Sequence, residues 1–231
     1  MPIFWLNKKL VFPPPHLADE EGCLAVGGDL SIPRLLLAYK SGIFPWYNHD
    51  EPIIWWCPDP RMVLLPNQIK VSKTMKQVLQ RQIFDITLDL DFEQVIDACK
   101  YTKRKGQSDT WITRDMKNAY CNLHQLGYAH SVEVWNKQTN ALVGGLYGIS
   151  LGKCFFGESM FAHQSNASKA GFISLVQQLK KWQFLLIDCQ VHTQHLESLG
   201  ASLIDRTLFL QQLQIALQTP TRLGKWSFDD N

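Results

Sequence analysis

The chain has 231 residues, of which 45% are hydrophobic and 19% charged, and its formal net charge is +2. Such values describe a globular protein with length enough for one large domain or two unequal ones. No apolar run approaches the roughly 20 residues of a membrane span, and the start MPIFWLNKKL lacks the basic-then-apolar order of a secretion signal, so a cytoplasmic protein without membrane association is the expectation. Six cysteines at 23, 57, 99, 121, 154 and 189 form no CxxC pair and no framework spacing, and read as buried or idle thiols.

In chain order, Pro13 to Pro15 open a proline-punctuated stretch. Within GCLAVGGDLSIPRLLLAYKSG, Ser31 is placed to cap a helix that begins at Ile32 and Pro33 and ends near Gly42. Residues 42–61, GIFPWYNHDEPIIWWCPDPR, hold five aromatics and four prolines. Proline lacks a backbone donor and fixes its own φ, so this spacing predicts neither a helix nor a sheet core but a shaped, aromatic-lined connection. Trp55 and Trp56 read as a staple between two halves of the protein, and Trp46, between Pro45 and Tyr47, as a surface on which a base can stack.

After Pro66 the pattern becomes regular. It predicts a helix near 73–80 capped by Ser72, a strand near 83–89, and a helix from about Phe92 with Asp91 and Gln94 as a capping box. A further helix starts after Thr113 and stops at Gly127. Strands at 131–135, 141–149 and 153–158 follow, then a helix over 166–181, an apolar strand FLLID at 184–188, a short helix to Gly200, a strand, and a last helix near 207–217. This order is α+β: a small N-terminal α/β subdomain over 1–62, then a domain over 63–231 whose arrangement resembles the acetyltransferase-like GNAT fold.

Asp188 is the first candidate for chemistry. A carboxylate at the carboxyl end of a buried strand must be paired, hydrogen-bonded or used, and open sheets place ligands there. Its bland alternative is a cap on the helix that follows at HTQH, but Gln190, two residues on, would share its side of an extended backbone. Glu158 closes the strand KCFF in the same way and could face Asp188, with Leu146, Phe155, Phe172 and Ile187 as apolar walls or as plain core. His192 and His195 lie three apart and could share a helical face; without a third ligand they read as a surface pair rather than a metal site. Cys189 alternates away from Asp188 and Gln190, which argues against a thiol nucleophile.

The basic excess sits mid-chain, where residues 61–120 carry 11 basic and seven acidic side chains. Lys70, Lys73, Lys76 and Arg81 fall on or beside the helix capped by Ser72, and Lys103, Arg104 and Lys105 form a run in a loop. Either solvent or a phosphate backbone satisfies such clusters.

The stretches GCLAVGGDLS (22–31), GIFPWY, WWCPDPR, TWITR (110–114), LGYAHSVEVW (126–135), LVGGLYG (142–148), GESMF, NASK (166–169), IDCQ and HLESLGA (195–201) closely resemble the leucyl/phenylalanyl-tRNA protein transferase family. They run in order through most of the chain; the amino-terminal tip and the residues after about 218 carry none of them. The resemblance implies transfer of Leu or Phe, and less readily Met, from Leu-tRNA or Phe-tRNA to proteins or peptides that begin with Arg or Lys. Such transfer marks the acceptor for degradation by the N-degron route. It also implies a GNAT-like carboxy-terminal domain and no metal or coenzyme, and a monomer is expected.

By position, Asp188 and Gln190 match the family's polar pair near the reacting amine, Glu158 the acid beside the aminoacyl ester, and Trp46 and Trp111 the aromatics that bracket the terminal adenosine. Leu146, Phe155, Ser159, Met160, Phe172, Leu175, Leu179 and Ile187 would then surround the transferred residue, excluding β-branched donors by shape. Lys73, Lys76, Arg81, Lys103, Arg104 and Lys105 would meet the tRNA. Aminolysis of an activated ester is downhill, so the demands are alignment and stabilisation of the oxyanion. Gln190, oriented by Asp188, would hold the neutral amine while substrate or water takes its proton.

Two other classes compete. A coenzyme A-dependent acetyltransferase shares the expected fold but needs a Gly-rich turn at a helix start, whose spacing SNASKAG lacks. A non-catalytic RNA-binding module would keep the basic clusters and Trp46, yet has no use for Glu158, Asp188 and Gln190 in one cleft.

Overall fold

The computed structural model describes residues 3–102 and 110–229 and shows a mixed α+β chain built on two sheets. The smaller sheet contains β1 (Phe4–Leu6), β2 (Cys23–Gly27), β3 (Phe44–Pro45) and β4 (Ile54–Trp56) in the order β1-β2-β4-β3, with α1 (Ile32–Lys40) between β2 and β3. The proline-rich run therefore does form sheet, contrary to expectation. Its prolines spare the ladder: Pro45 lies in a two-residue edge strand, and Pro52, Pro58 and Pro60 fall outside β3 and β4. Trp55 is fully buried, edge-on to Phe12 at 4.8 Å, and donates to the Gly27 carbonyl. Trp56 is half-buried and donates to the Trp46 carbonyl at 2.7 Å.

The larger sheet contains β5 (Arg61–Leu64), β6 (Phe84–Leu88), β7 (Ala129–Asn136), β8 (Leu142–Leu151), β9 (Cys154–Ala162), β10 (Leu186–Gln190) and β11 (Ser202–Ile204). Its order is β11-β5-β10-β9-β8-β7-β6, antiparallel throughout except for the β9–β10 pair. The helices are α2 (Lys73–Gln80), α3 (Phe92–Tyr101), α4 (Arg114–Gln125), α5 (Ala167–Lys181), α6 (Gln194–Ser198) and α7 (Arg206–Leu217). One core, holding Tyr39, Trp55, Tyr120, Phe156 and Phe209, joins the small sheet to the large one. The other, holding Phe155, Phe172, Ile173, Leu179 and Trp226, lies under α5.

Local chemistry explains most element starts. Ser72 and Thr113 accept the N–H groups of Met75 and Met116, each at 3.2 Å, as caps of α2 and α4. Asp91 caps α3 through the Gln94 N–H at 3.0 Å, but the box does not close: the Gln94 amide donates to the Asp91 carboxylate, and the Asp91 N–H reaches Glu133. Ser31 adopts the cap conformation at α1 without a side-chain bond, its N–H held instead by Asp29 at 2.9 Å. Gly127 follows α4 at φ +77°, and a Cβ there would stand 2.2 Å from the Gly224 nitrogen, so this turn admits only glycine.

The feature that makes room for a site is a splay. β9 and β10 pair only from Cys154 to Phe156 against Leu186 to Asp188. Both strands then bulge. In β9, Gly157 pairs with Gly148 and Ser159 with Tyr147, which leaves Glu158 as the extra residue. In β10, Asp188 pairs with Val63 and Gln190 with Met62, which leaves Cys189 extra. A bulge bends its strand and re-aims the side chain it carries. β9 consequently runs on to Ala162, so Glu158 does not close a strand, and β10 starts later than predicted, with Leu185 outside it and 47% exposed.

Arg61 joins the two sheets. It is buried between the rings of Phe44 and Phe209, its guanidinium 4.7 and 4.5 Å from their centroids, and it grips Asp188 with two hydrogen bonds. Removing one partner of a buried pair strands the other charge, so Arg61→Leu is expected to cost about 3–5 kcal/mol of stability in urea unfolding. Arg61→Leu combined with Asp188→Leu should recover part of that loss.

Candidate active site

A cavity of about 510 Å³ opens where β9 and β10 part. Leu146, Phe155, Met160, Phe172 and Ile187 line it with apolar surface, Glu158, Ser159 and Gln190 supply polar groups, and Pro45, Trp46 and Trp111 flank it on the side of the small sheet. Trp46 is 41% exposed. Leu175 and Leu179 do not reach the cavity. They continue the stripe of α5 that carries Ser168 and Phe172, but farther along the helix, where it is buried in the packed core.

Glu158 lies at the centre of a hydrogen-bonded cluster. Its Oε1 accepts from the Tyr39 hydroxyl at 2.8 Å and from the Gln190 amide at 2.9 Å, and its Oε2 accepts from the Tyr120 hydroxyl at 2.8 Å. The two tyrosine hydroxyls also meet each other at 2.5 Å. Burial pushes the Glu158 carboxyl up to about 7, and the charge of Asp188 adds to that, while bonds from Tyr120, Tyr39 and Gln190 pull the other way. Proton counting agrees with a raised value. The ring of Glu158, Tyr39 and Tyr120 has three oxygen–oxygen contacts; an ionised Glu158 accepts from both hydroxyls and leaves the contact between them without a hydrogen, whereas a protonated one donates to one hydroxyl and brings the hydrogens to three. Burial and the Glu158 charge keep both phenols neutral by raising them well above their ordinary value.

Asp188 is fully buried and lies behind the cavity rather than in it. Its Oδ1 accepts from Arg61 Nε at 2.8 Å and from the Gln190 N–H at 2.9 Å, and its Oδ2 from Arg61 Nη2 at 2.6 Å. Gln190 sits at φ +62°, so the two side chains are not related by simple strand alternation; the bulge turns Gln190 towards Glu158. Nor does Asp188 cap α6, because Thr193 does, accepting the Leu196 N–H at 3.2 Å. The same bulge brings Cys189 into the cavity wall, against the alternation argument, but burial pushes its thiol far up and keeps it protonated.

His192 precedes α6 and bonds Glu197 at 3.0 Å, whereas His195, within α6, is half-buried and lines the cavity, so the pair shares no helical face. Among the described residues, no group of three His, Cys, Asp or Glu is placed to hold a metal ion. All six cysteines are free. Lys73 and Lys76 are exposed on α2 and Arg81 just beyond it, while Lys103, Arg104 and Lys105 lie outside the described residues. No described helix is long and apolar enough to cross a membrane.

Residues 63–214 match the family model described as leucyl/phenylalanyl-tRNA protein transferase, and residues 28–59 match the model for the N-terminal domain of the same enzymes. The chain belongs to this family. It is 56% identical to the leucyl/phenylalanyl-tRNA–protein transferase of Syntrophus aciditrophicus over 98% of this chain and 94% of that protein. It is 55% identical to that of Flavobacterium johnsoniae over 92% of this chain and 99% of that protein. Among solved structures, L-PGS from Bacillus licheniformis aligns with 85% of this chain and 65% of its own at a TM-score of 0.39 and 10% identity, too distant to carry an argument. Membership makes the protein an aminoacyltransferase.

The candidate residues that sequence reasoning missed are Tyr39, Tyr120 and Arg61. Tyr39 ends the apolar stripe Leu35–Ala38–Tyr39 of α1, and a hydroxyl in such a stripe is a signal of a buried partner. Arg61 closes the aromatic run, where a lone cation among rings and prolines was the corresponding hint.

The raised Glu158 carboxyl ties stability to pH. An unfolded Glu titrates near 4.5 and the folded one near 7, so the contribution is fully present below about 4.5 and is lost as pH rises through 7. Glu158→Gln should therefore flatten the fall in urea-unfolding stability between pH 5 and pH 8 by about 2–3 kcal/mol.

Proposed function

We propose that the protein moves Leu or Phe, and less readily Met, from aminoacyl-tRNA to the N-terminal Arg or Lys of acceptor proteins, which marks them for N-degron degradation. The observation that carries this reading is the pairing of Glu158 and Gln190 on the wall of an apolar cavity flanked by Trp46 and Trp111. The apolar end takes the donor side chain, and the tryptophans take the terminal adenosine by stacking. Charged tRNA as donor makes the cytoplasm the place of reaction.

An acceptor α-amine titrates near about 8, close to the Glu158 value of about 7, so proton transfer between them is nearly balanced at neutral pH. In the ionised state Glu158 takes the proton of the attacking amine as the new C–N bond forms at the ester carbonyl. It then returns that proton to the 3′-oxygen of the departing adenosine. Gln190 cannot act as the base; its amide links Glu158 to the amine and aligns both. Asp188 and Arg61 act one layer back, where they fix the Gln190 backbone.

We also take residues 1–62, the last two of which open β5, as a small N-terminal domain that presents Trp46 to the cavity, and residues 63–231 as a GNAT-like catalytic domain. The support for the latter is the pair of parallel neighbours, β9 and β10, that part around the cavity.

Incubation with charged Leu-tRNA or Phe-tRNA and an Arg-initiated peptide should yield the extended peptide at low salt, and absence of product would sink the proposal. Glu158→Gln is expected to lower the transfer rate about 10²–10⁴-fold and to remove the limb of the pH–rate profile near 7. Asp188→Ala should reduce transfer far more than tRNA affinity; equal loss of both would mark a purely structural Asp. A separate measurement concerns α2: replacing Lys73, Lys76 and Arg81 by Ala should lower the slope of log affinity against log salt by about two to three, and an unchanged slope places the tRNA elsewhere.

A further inference from the structure

Residues 218–229 lie beyond the 63–214 stretch that matches the family, yet side-chain and backbone contacts tie them to the large sheet and its helices. Thr221 accepts the Gly152 N–H at 2.9 Å, the Arg222 guanidinium stacks over Trp182 at 4.2 Å, and Gly224 packs against Gly127. Asp229 accepts from the Gln178 amide at 2.6 Å and from the Trp182 indole at 2.8 Å. These contacts make a strap along the large sheet's second core, of which Trp226, between them in sequence, is a buried member.

Trp226 is fully buried. Its N–H donates to Asp89 at 2.7 Å, its indole N–H to the Arg222 carbonyl at 3.1 Å, and its ring lies flat on His130 at 3.5 Å. Trp182 and Phe184 meet it edge-on at 4.9 and 5.8 Å. A further ring neighbour is Phe155, at 6.2 Å, and Phe155 lines the cavity.

Phe155 is thus a ring with few places to go. Gly148 of β8 bounds it so closely that a Cβ there would stand 2.5 Å from its Cζ, and Trp226 closes a second side. Close-packed interiors leave no slack for a ring to retreat. How far Phe155 projects into the cavity is therefore set by a residue that touches no substrate. We infer that Trp226, pinned by the C-terminal strap, sets the depth of the donor side-chain pocket through Phe155 and so acts as a specificity-determining positioning residue. The inference rests on the aminoacyl-transfer reading of the cavity.

Shortening Trp226 leaves a space beside Phe155 into which its ring can turn, deepening the pocket for a donor larger than Phe. The test is a competition between Leu-tRNA and Trp-tRNA for one Arg-initiated peptide, read as the ratio of Trp-extended to Leu-extended product. A loss of folded protein lowers both products alike and leaves the ratio unmoved. Trp226→Leu should raise the ratio at least tenfold and Trp226→Phe by a smaller factor. An unchanged ratio in both variants overturns the inference, and Trp226→Phe decides alone if Trp226→Leu does not fold.

Combining Trp226→Leu with Phe155→Leu tests the route. A combined change no larger than that of Phe155→Leu alone supports action through Phe155, and multiplication of the two effects overturns it. Failure of the wild-type protein to form any Leu-extended peptide counts against the transfer reading, not the strap. The same ratio is then read from binding of 3′-amide leucyl-adenosine and tryptophanyl-adenosine, which requires no transfer.

Discussion

The buried pair of Arg61 and Asp188 is the interaction on which the rest of the site depends. An ion pair in a packed interior rarely adds much to stability over apolar residues of the same volume, because desolvation of both charges offsets their attraction. What it supplies here is position. The guanidinium is clamped between Phe44 of the small sheet and Phe209 of α7, and its two donors fix the Asp188 carboxylate. That carboxylate holds the Gln190 backbone, and the Gln190 amide reaches Glu158. One chain of hydrogen bonds therefore runs from the contact between the sheets to the group that titrates near 7.

The arrangement separates two carboxylates by environment. Asp188 is saturated with donors and faces a permanent cation, while Glu158 has only neutral donors and sits beside the Asp188 charge. A carboxylate in the second setting changes protonation readily around neutrality. The acid that reads as foremost in the sequence, Asp188, is thus the anchor, and the acid on the bulge is the one able to exchange a proton.

Much of this was legible where the cause is local. Ser72 and Thr113 announce helix starts because capping needs only a hydroxyl and a backbone N–H three residues away. The family motifs point to Glu158, Asp188, Gln190, Trp46 and Trp111, and all except Asp188 line one cavity. What was not legible depends on distant partners. The bulges at Glu158 and Cys189 exist only relative to the registers of β8 and β5, and Arg61 lies 127 residues from the Asp188 it binds. Tyr39 and Tyr120 meet across 81 residues. Strand alternation misjudged Cys189 and Gln190 for the same reason: one extra residue reverses every prediction made beyond it.

That reversal gives β9 a property no regular strand has. Before Glu158, Phe155 faces the core under α5 and Phe156 the opposite one; after it, Met160 faces the core under α5 and Phe161 the other. In an unbroken strand, residues 155 and 160 stand on opposite faces, since their separation is odd. The single inserted residue shifts the phase and lets one strand send both Phe155 and Met160 to the same cavity. Deleting Glu158 would cut that separation to four, leaving Phe155 and Met160 on one face of a regular strand but removing the bulge, whereas substituting it keeps the bulge and its phase. In this strand the count of residues carries as much information as their identity.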